Sequence, residues 1–177
     1  MKYLVLSVAL AGLATSALAD TPDYQAEARQ AAGSLLQTLG GELKREIQNN
    51  GVESAVSVCK TLAPQIAAEQ SRKSGMKISR VSLKPRNPLL GTADAWEQQA
   101  LQTLEARAAK GEKPETLEIS ETVKEPAGSY YRYVKAIPVQ PLCLSCHGGP
   151  SDIGTGIKAK LNSEYPHDKA TGYTLGM

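Results

Sequence analysis

The sequence has no phenylalanine, a single tryptophan and only seven tyrosines in 177 residues. A domain with so few large rings has a thin aromatic core, and something else has room to fill it. Cysteine is also scarce. Three cysteines are too few for a fold built on disulfides, and an odd number leaves at least one thiol to explain. There is no excess of one charge: the formal net charge is +2, whereas nucleic-acid binders concentrate basic surface. Disorder is excluded by a globular mixture of 41% hydrophobic and 21% charged residues.

Long apolar runs are absent too, apart from a short one at the start. Met1-Lys2 is followed by an apolar stretch from Tyr3 to Leu13 and then by Ala17-Leu18-Ala19 before Asp20. This is the pattern of a secretory signal peptide over residues 1–19, cleaved after Ala19. The run falls short of the ~18–20 residues that a membrane span needs. Removing 19 of 177 residues leaves a mature chain of 158, one domain on length and large enough to bury a core. It is expected to be periplasmic and not membrane-spanning after cleavage. That compartment is oxidising, so an unpaired thiol there needs a reason.

Periodicity organises residues 20–177 into one α+β domain. Leu35, Leu39, Leu43 and Ile47 form a stripe on a helix expected from about Asp23 to Asn49, which Asn49-Asn50-Gly51 ends. A second helix is expected from Val52 to Gln70. Its apolar face includes Val56, Cys59, Ala63 and Ile66, and Pro64 should kink or split it. Lys77 to Leu83 reads as a short strand and Lys84 to Gly91 as a proline-rich loop. A third helix is expected over Thr92–Lys110, capped by Thr92 or Asp94, with Trp96, Ala100, Leu101, Leu104 and Ala108 on its buried side. Glu115–Val123 and Ser129–Pro138 read as a hairpin. From Gly148 onward the chain reads as mostly irregular.

Chemistry is concentrated in Cys143-Leu144-Ser145-Cys146-His147. C-x-x-C-H is the attachment signature of c-type haem. Two cysteine sulfurs bond to the two vinyl groups on one edge of the porphyrin, and the next residue, histidine, supplies the proximal nitrogen to iron. With Cys and His this scarce, a chance match is on the order of 10⁻³ from composition. Three other readings compete. A thioredoxin-like pair needs a helix start after a strand, and Gly148-Gly149-Pro150 opposes a helix here. A structural zinc site would have to recruit Cys59 and His167. A plain disulfide would leave His147 without a role. One motif implies one covalent haem c, and the porphyrin would itself serve as the missing flat core element. For the sixth iron position the candidates are Cys59, Met76, His167, Met177 or none. A cysteine on a buried helical face is, on spacing alone, more often inert packing.

Four stretches carry a family resemblance. They are Val58-Cys59-Lys60 with Ala63-Pro64 and Ile66-Ala67; Arg80 through Pro88; Cys143 through Gly148; and Tyr165-Pro166 with Asp168 through Tyr173. Together they resemble exported haem-c proteins of PAS-like fold, first recognised in cyanobacteria as a domain of unknown function. The same domain serves as the sensory part of some bacterial histidine kinases and chemoreceptors. The resemblance spans about residues 30–177. It implies a central antiparallel sheet flanked by helices, with the cysteine matching Cys59 as the distal ligand opposite His147. Where the family has an aspartate after Tyr-Pro, this chain has His167, and the family implies one strand beyond Met177.

Cys/His ligation would favour ferric iron and a low potential, and reduction could release Cys59 to open a site for a small gaseous ligand. Arg80 or Arg86 is a candidate partner for a haem propionate. The leading functional expectation is a haem-based redox or gas sensor that acts through a partner protein. The second is a soluble electron carrier, although small carriers usually place C-x-x-C-H near the amino terminus with a distal Met. An enzyme ranks third: no distal His/Arg pair is present and no catalytic residue is assigned.

Overall fold

The computed structural model describes residues 23–177, so the predicted export segment lies outside the described residues. Asp23 opens helix α1, Tyr24–Asn50, by accepting the Ala26 N–H at 3.0 Å. Gly40 and Gly41 do not interrupt it. Gly51, with φ at +83°, ends it where the Asn-Asn-Gly run predicts.

The next helical segment is split, as Pro64 requires. A 3₁₀ turn, Val52–Ser54, and a single α turn, α2, Ala55–Ser57, lead into a wide π turn, Val58–Leu62. Helix α3, Ala63–Ser74, follows, with Pro64 in its first turn. Widening lets the Ala63 N–H reach the Val58 carbonyl, five residues back. Cys59 sits inside that π turn, an irregularity often found at functional sites. Leu35 and Leu39 of α1 pack with Val58, Ala63 and Ile66, and Leu43, Leu62, Ala67 and Ile78 line the edge of this core. It contains no aromatic ring.

The strand expected over Lys77–Leu83 does not form. Its pairing is limited to one parallel bridge, Ser82 with Thr92. The Ile78 N–H instead donates to Ser71 Oγ at 2.9 Å, so a side chain of α3 satisfies a group that a ladder would have used. The proline-rich loop contains a short helix, α4, Pro88–Gly91, capped by Asn87. Helix α5, Ala95–Ala109, starts with a capping box: Asp94 accepts the Glu97 N–H at 2.9 Å and Glu97 accepts the Asp94 N–H at 2.8 Å. Ala100 and Leu104 are buried on it, whereas Trp96, Leu101 and Ala108 are half-buried. Trp96 donates to Glu121 and carries the Arg132 guanidinium 4.6 Å above its ring.

Strands β1, Glu118–Glu125, and β2, Gly128–Lys135, form the expected hairpin, with Ile119 opposite Val134 and Val123 opposite Tyr130. A 3₁₀ turn at Pro114–Thr116 delays the first strand by three residues. Among the described residues this two-stranded antiparallel sheet is the only one, smaller than the central sheet the resemblance implies. Helices α6, Pro141–His147, and α7, Thr155–Glu164, complete an α+β architecture. The tail from Gly148 onward is mostly irregular, as expected, but helix α7 within it is unanticipated. Ile153, Ile157, Leu161 and Tyr165 recur every four residues and bury their stripe against Val56, with Cys146 at its edge. Gly148, Gly149 and Pro150 lie in the turn before that stripe.

One ion pair ties α1 to the hairpin. Glu118 accepts from Arg29 Nε and Gln25 Nε2, each at 3.1 Å, and from the Tyr133 hydroxyl at 2.7 Å. The Arg29 hydrogen bond, helped by Tyr133 and Gln25, holds the Glu118 carboxyl down at about 2. A depressed carboxyl contributes stability above its unfolded value near 4.5, and that contribution disappears as pH falls toward 2. Arg29 is half exposed, so screening limits the effect to on the order of 1 kcal/mol. Glu118→Gln should therefore lower the melting temperature at pH 7 by about 2–4 °C and flatten the loss of stability between pH 4.5 and 2. An acid limb identical to wild type would contradict this.

Candidate functional site

The C-x-x-C-H motif occupies nearly all of α6. Pro141 takes the first helical position, where its missing N–H costs nothing. The Gln140 N–H donates to Cys143 Sγ at 3.3 Å. Cys143 and Cys146, three residues apart, fall on neighbouring positions of one helix face. Both are half-buried free thiols. The expectation that Gly148-Gly149-Pro150 opposes a helix is thus corrected: the motif is helical, and the glycines end the helix after it.

His147 is the last residue of α6. Its Nδ1 lies 2.9 Å from the Ala170 carbonyl. A carbonyl only accepts, so Nδ1 carries the hydrogen and the Nε2 lone pair is left free. Tyr173 sets its ring edge-on at 6.0 Å and 82°. Burial, reinforced by the positive charge of Arg86, pushes His147 down to about 4. At neutral pH the imidazole is uncharged, which is the form that ligates metal.

The end of α6 is held by a returning segment, residues 168–173. The Gly172 N–H donates to the Gly148 carbonyl and the Tyr173 N–H to the His147 carbonyl, both at 2.9 Å. Gly148 permits this close fit. A Cβ there would lie 2.6 Å from Asp152 side-chain atoms and 2.7 Å from the Leu144 carbonyl oxygen. The Leu144 carbonyl belongs to the helix and cannot step aside. Gly148→Ala should destabilise the fold by about 1–3 kcal/mol and displace the His147 turn. Unchanged thermal unfolding would show that the turn relaxes freely.

Cys59 approaches from the π turn. It is half-buried, not fully enclosed as its helical stripe suggests. Burial pushes its thiol up, while Arg80 and Arg86 pull it down. Cys143 and Cys146 lie within electrostatic reach of it, as does Tyr165. Cys59 thus comes within electrostatic reach of two thiols more than 80 residues further along the chain. The other candidates for the sixth position are less favourably placed. His167 and Met177 are exposed, and Met76 sits in the turn after α3. Arg80 is exposed, whereas Arg86 is engaged by Asp168 and two backbone carbonyls, which leaves little of it for a propionate.

The competing chemistries fare poorly on this geometry. Burial pushes the Cys146 thiol up despite Arg86, so Cys146 is not the attacking thiolate of a redox pair. Structural zinc needs four converging protein ligands, and among the described residues no three His, Cys, Asp or Glu side chains converge as a metal cage. Sequence reasoning places Asp168 in a family stretch without a role, and does not find the Ala170 carbonyl. A backbone acceptor leaves no trace in residue type.

Fold and site define an α+β domain built around a C-x-x-C-H helix whose histidine is locked as the neutral Nδ1–H tautomer. A family model described as Tll0287-like matches residues 20–177, and the chain belongs to the Tll0287-like family. The resemblance read from the four stretches holds. The fold is similar to that in the crystal structure of the cyanobacterial heme-protein Tll0287, with a TM-score of 0.63 and 24% identity over 89% of this chain and 90% of that one. No curated protein matches the chain.

Proposed function

We propose that this chain is an exported, periplasmic protein that carries one haem c and acts as a redox or gas sensor. The observation that carries this reading is the free Nε2 of His147 on the same short helix as two free thiols, with Cys59 within electrostatic reach of those thiols. In this reading Cys143 and Cys146 bond the vinyl groups, His147 is the proximal ligand and Cys59 the distal one. The donor set fits: an uncharged imidazole and a half-buried cysteine, bound as thiolate, would suit ferric iron. When bound, haem supplies a redox-active iron. The chain's own residues fix its position, keep His147 deprotonated at Nε2, and set Cys59 between a proton and the metal. A PAS-like arrangement, with helices over the antiparallel hairpin, is the matching fold reading. The similar cyanobacterial protein is a heme-protein, which supports the choice of cofactor. Among the described residues no helix is long and apolar enough to cross a membrane. A sensor of this kind would need a separate partner protein. No catalytic residue and no nucleic-acid surface are assigned.

The Cys59 thiol favours sensing. Its burial stabilises the protonated form, so a reduced iron, which holds thiolate weakly, should lose it readily. Adding CO to the reduced protein should shift the visible spectrum. A spectrum insensitive to CO would remove gas sensing and favour the second reading, a soluble periplasmic electron carrier.

A further inference from the structure

Arg86 and Asp168 come from two of the stretches that carry the family resemblance, and haem attachment gives neither a task. Their side chains meet 82 positions apart in sequence, Nε to Oδ2 at 2.9 Å. They are 10% and 12% exposed, whereas every other ion pair among the described residues has a partner at least 23% exposed. Arg86 Nη2 donates to the carbonyl of Ala170 at 3.1 Å and to that of Cys146. Asp168 Oδ1 accepts the Ala170 N–H at 2.7 Å. The pair therefore grips Ala170 by both its N–H and its carbonyl, and grips α6 one residue before His147.

We propose that Arg86 and Asp168 are positioning residues for His147, holding the Ala170 carbonyl that accepts the Nδ1 proton and so fixing the tautomer and plane of the iron ligand. The inference rests on the haem reading above. A buried ion pair seldom adds stability over an apolar replacement of the same volume. Its value here lies in geometry: a planar guanidinium fork spreads its donors over a carboxylate and two carbonyls from separate nitrogens, whereas lysine has only a single point nitrogen. Hydrogen-bond partners of a ligating histidine set its orientation and raise its basicity, and their loss typically weakens metal sites ~10–100-fold.

The test uses the haem-loaded protein and the double variant Arg86→Gln/Asp168→Asn, which leaves net charge unchanged. Exchange of the His147 Nδ1 proton with deuterated water, followed by NMR of the ferric protein, should be at least about tenfold faster than in wild type. The reduction potential should rise, because a less basic imidazole stabilises ferric iron less. Arg86→Lys should restore only part of the protection. Arg132→Gln, which breaks the ion pair to Asp94 on α5, should change neither readout. Wild-type proton exchange and potential in the double variant, with only thermal stability lost, would overturn the proposal. Should that variant not accumulate, wild-type exchange in Arg86→Lys would overturn it equally. Absence of covalent haem from the wild-type protein would instead sink the haem reading, before any variant is compared.

Discussion

Cys59→Ser should change the ferric absorption spectrum and raise the reduction potential by on the order of 100 mV or more, within the roughly 0.8 V range that axial ligands command. A thiolate donates electron density to iron and stabilises the ferric state, and a serine hydroxyl does so far less. The residue can play this part because of the π turn. In a regular helix Pro64 would leave an unpaired carbonyl and a steric clash one turn back. The wide turn accommodates Pro64 and carries Cys59, which lies within electrostatic reach of Cys143 and Cys146. Burial then stabilises the protonated thiol, so iron must displace a proton to bind. Acidification should loosen the bond for the same reason. An unchanged spectrum and potential in Cys59→Ser would remove Cys59 as a ligand and leave its burial as packing.

Cys143→Ala/Cys146→Ala should abolish covalent haem altogether, so that haem-dependent peroxidase staining disappears from the denatured protein band. The effect should extend to the fold. The site sits beside the cluster of Val56, Ile153, Ile157, Leu161 and Tyr165, with Cys146 packed at its edge. Tyr165 is the one aromatic residue in that cluster, and the core between α1 and α3 has none. A porphyrin would bury several hundred Å² of apolar surface, worth several kcal/mol at ~25 cal/mol/Å². The double variant should melt well below wild type, as a cooperative transition shifted by ten degrees or more, roughly what such a loss implies. Equal melting temperatures would mean that the polypeptide core is sufficient without the cofactor.

Much of this was legible in the residues. The helix at Tyr24–Asn50, the Asp94 cap and the hairpin follow from strong local signals: a four-residue apolar stripe, a capping carboxylate, and tyrosine-rich alternation beside Pro126-Ala127. The C-x-x-C-H segment was unmistakable because cysteine and histidine are so rare in the chain. Two elements were misread for physical reasons. Ile153, Ile157, Leu161 and Tyr165 carry a clear helical period, but the glycines and Pro150 ahead of them dominate composition and suggest a loop. Lys77–Leu83 alternates like a strand, yet its backbone is satisfied by Ser71 and by a single bridge. The site's polar frame was beyond sequence reading. The Ala170 carbonyl, and the choice of Asp168 over the solvent as partner for Arg86, depend on two distant stretches meeting.

Covalent haem on one pair of cysteines is the premise of every functional statement above, and the intact mass of the mature protein decides it. The protein is purified from the exported fraction and weighed under denaturing conditions. The expected mass is that of the polypeptide from Asp20 onward plus one haem, bound through Cys143 and Cys146. A bare polypeptide mass, or one lower by two hydrogens for a Cys143–Cys146 disulfide, would contradict it.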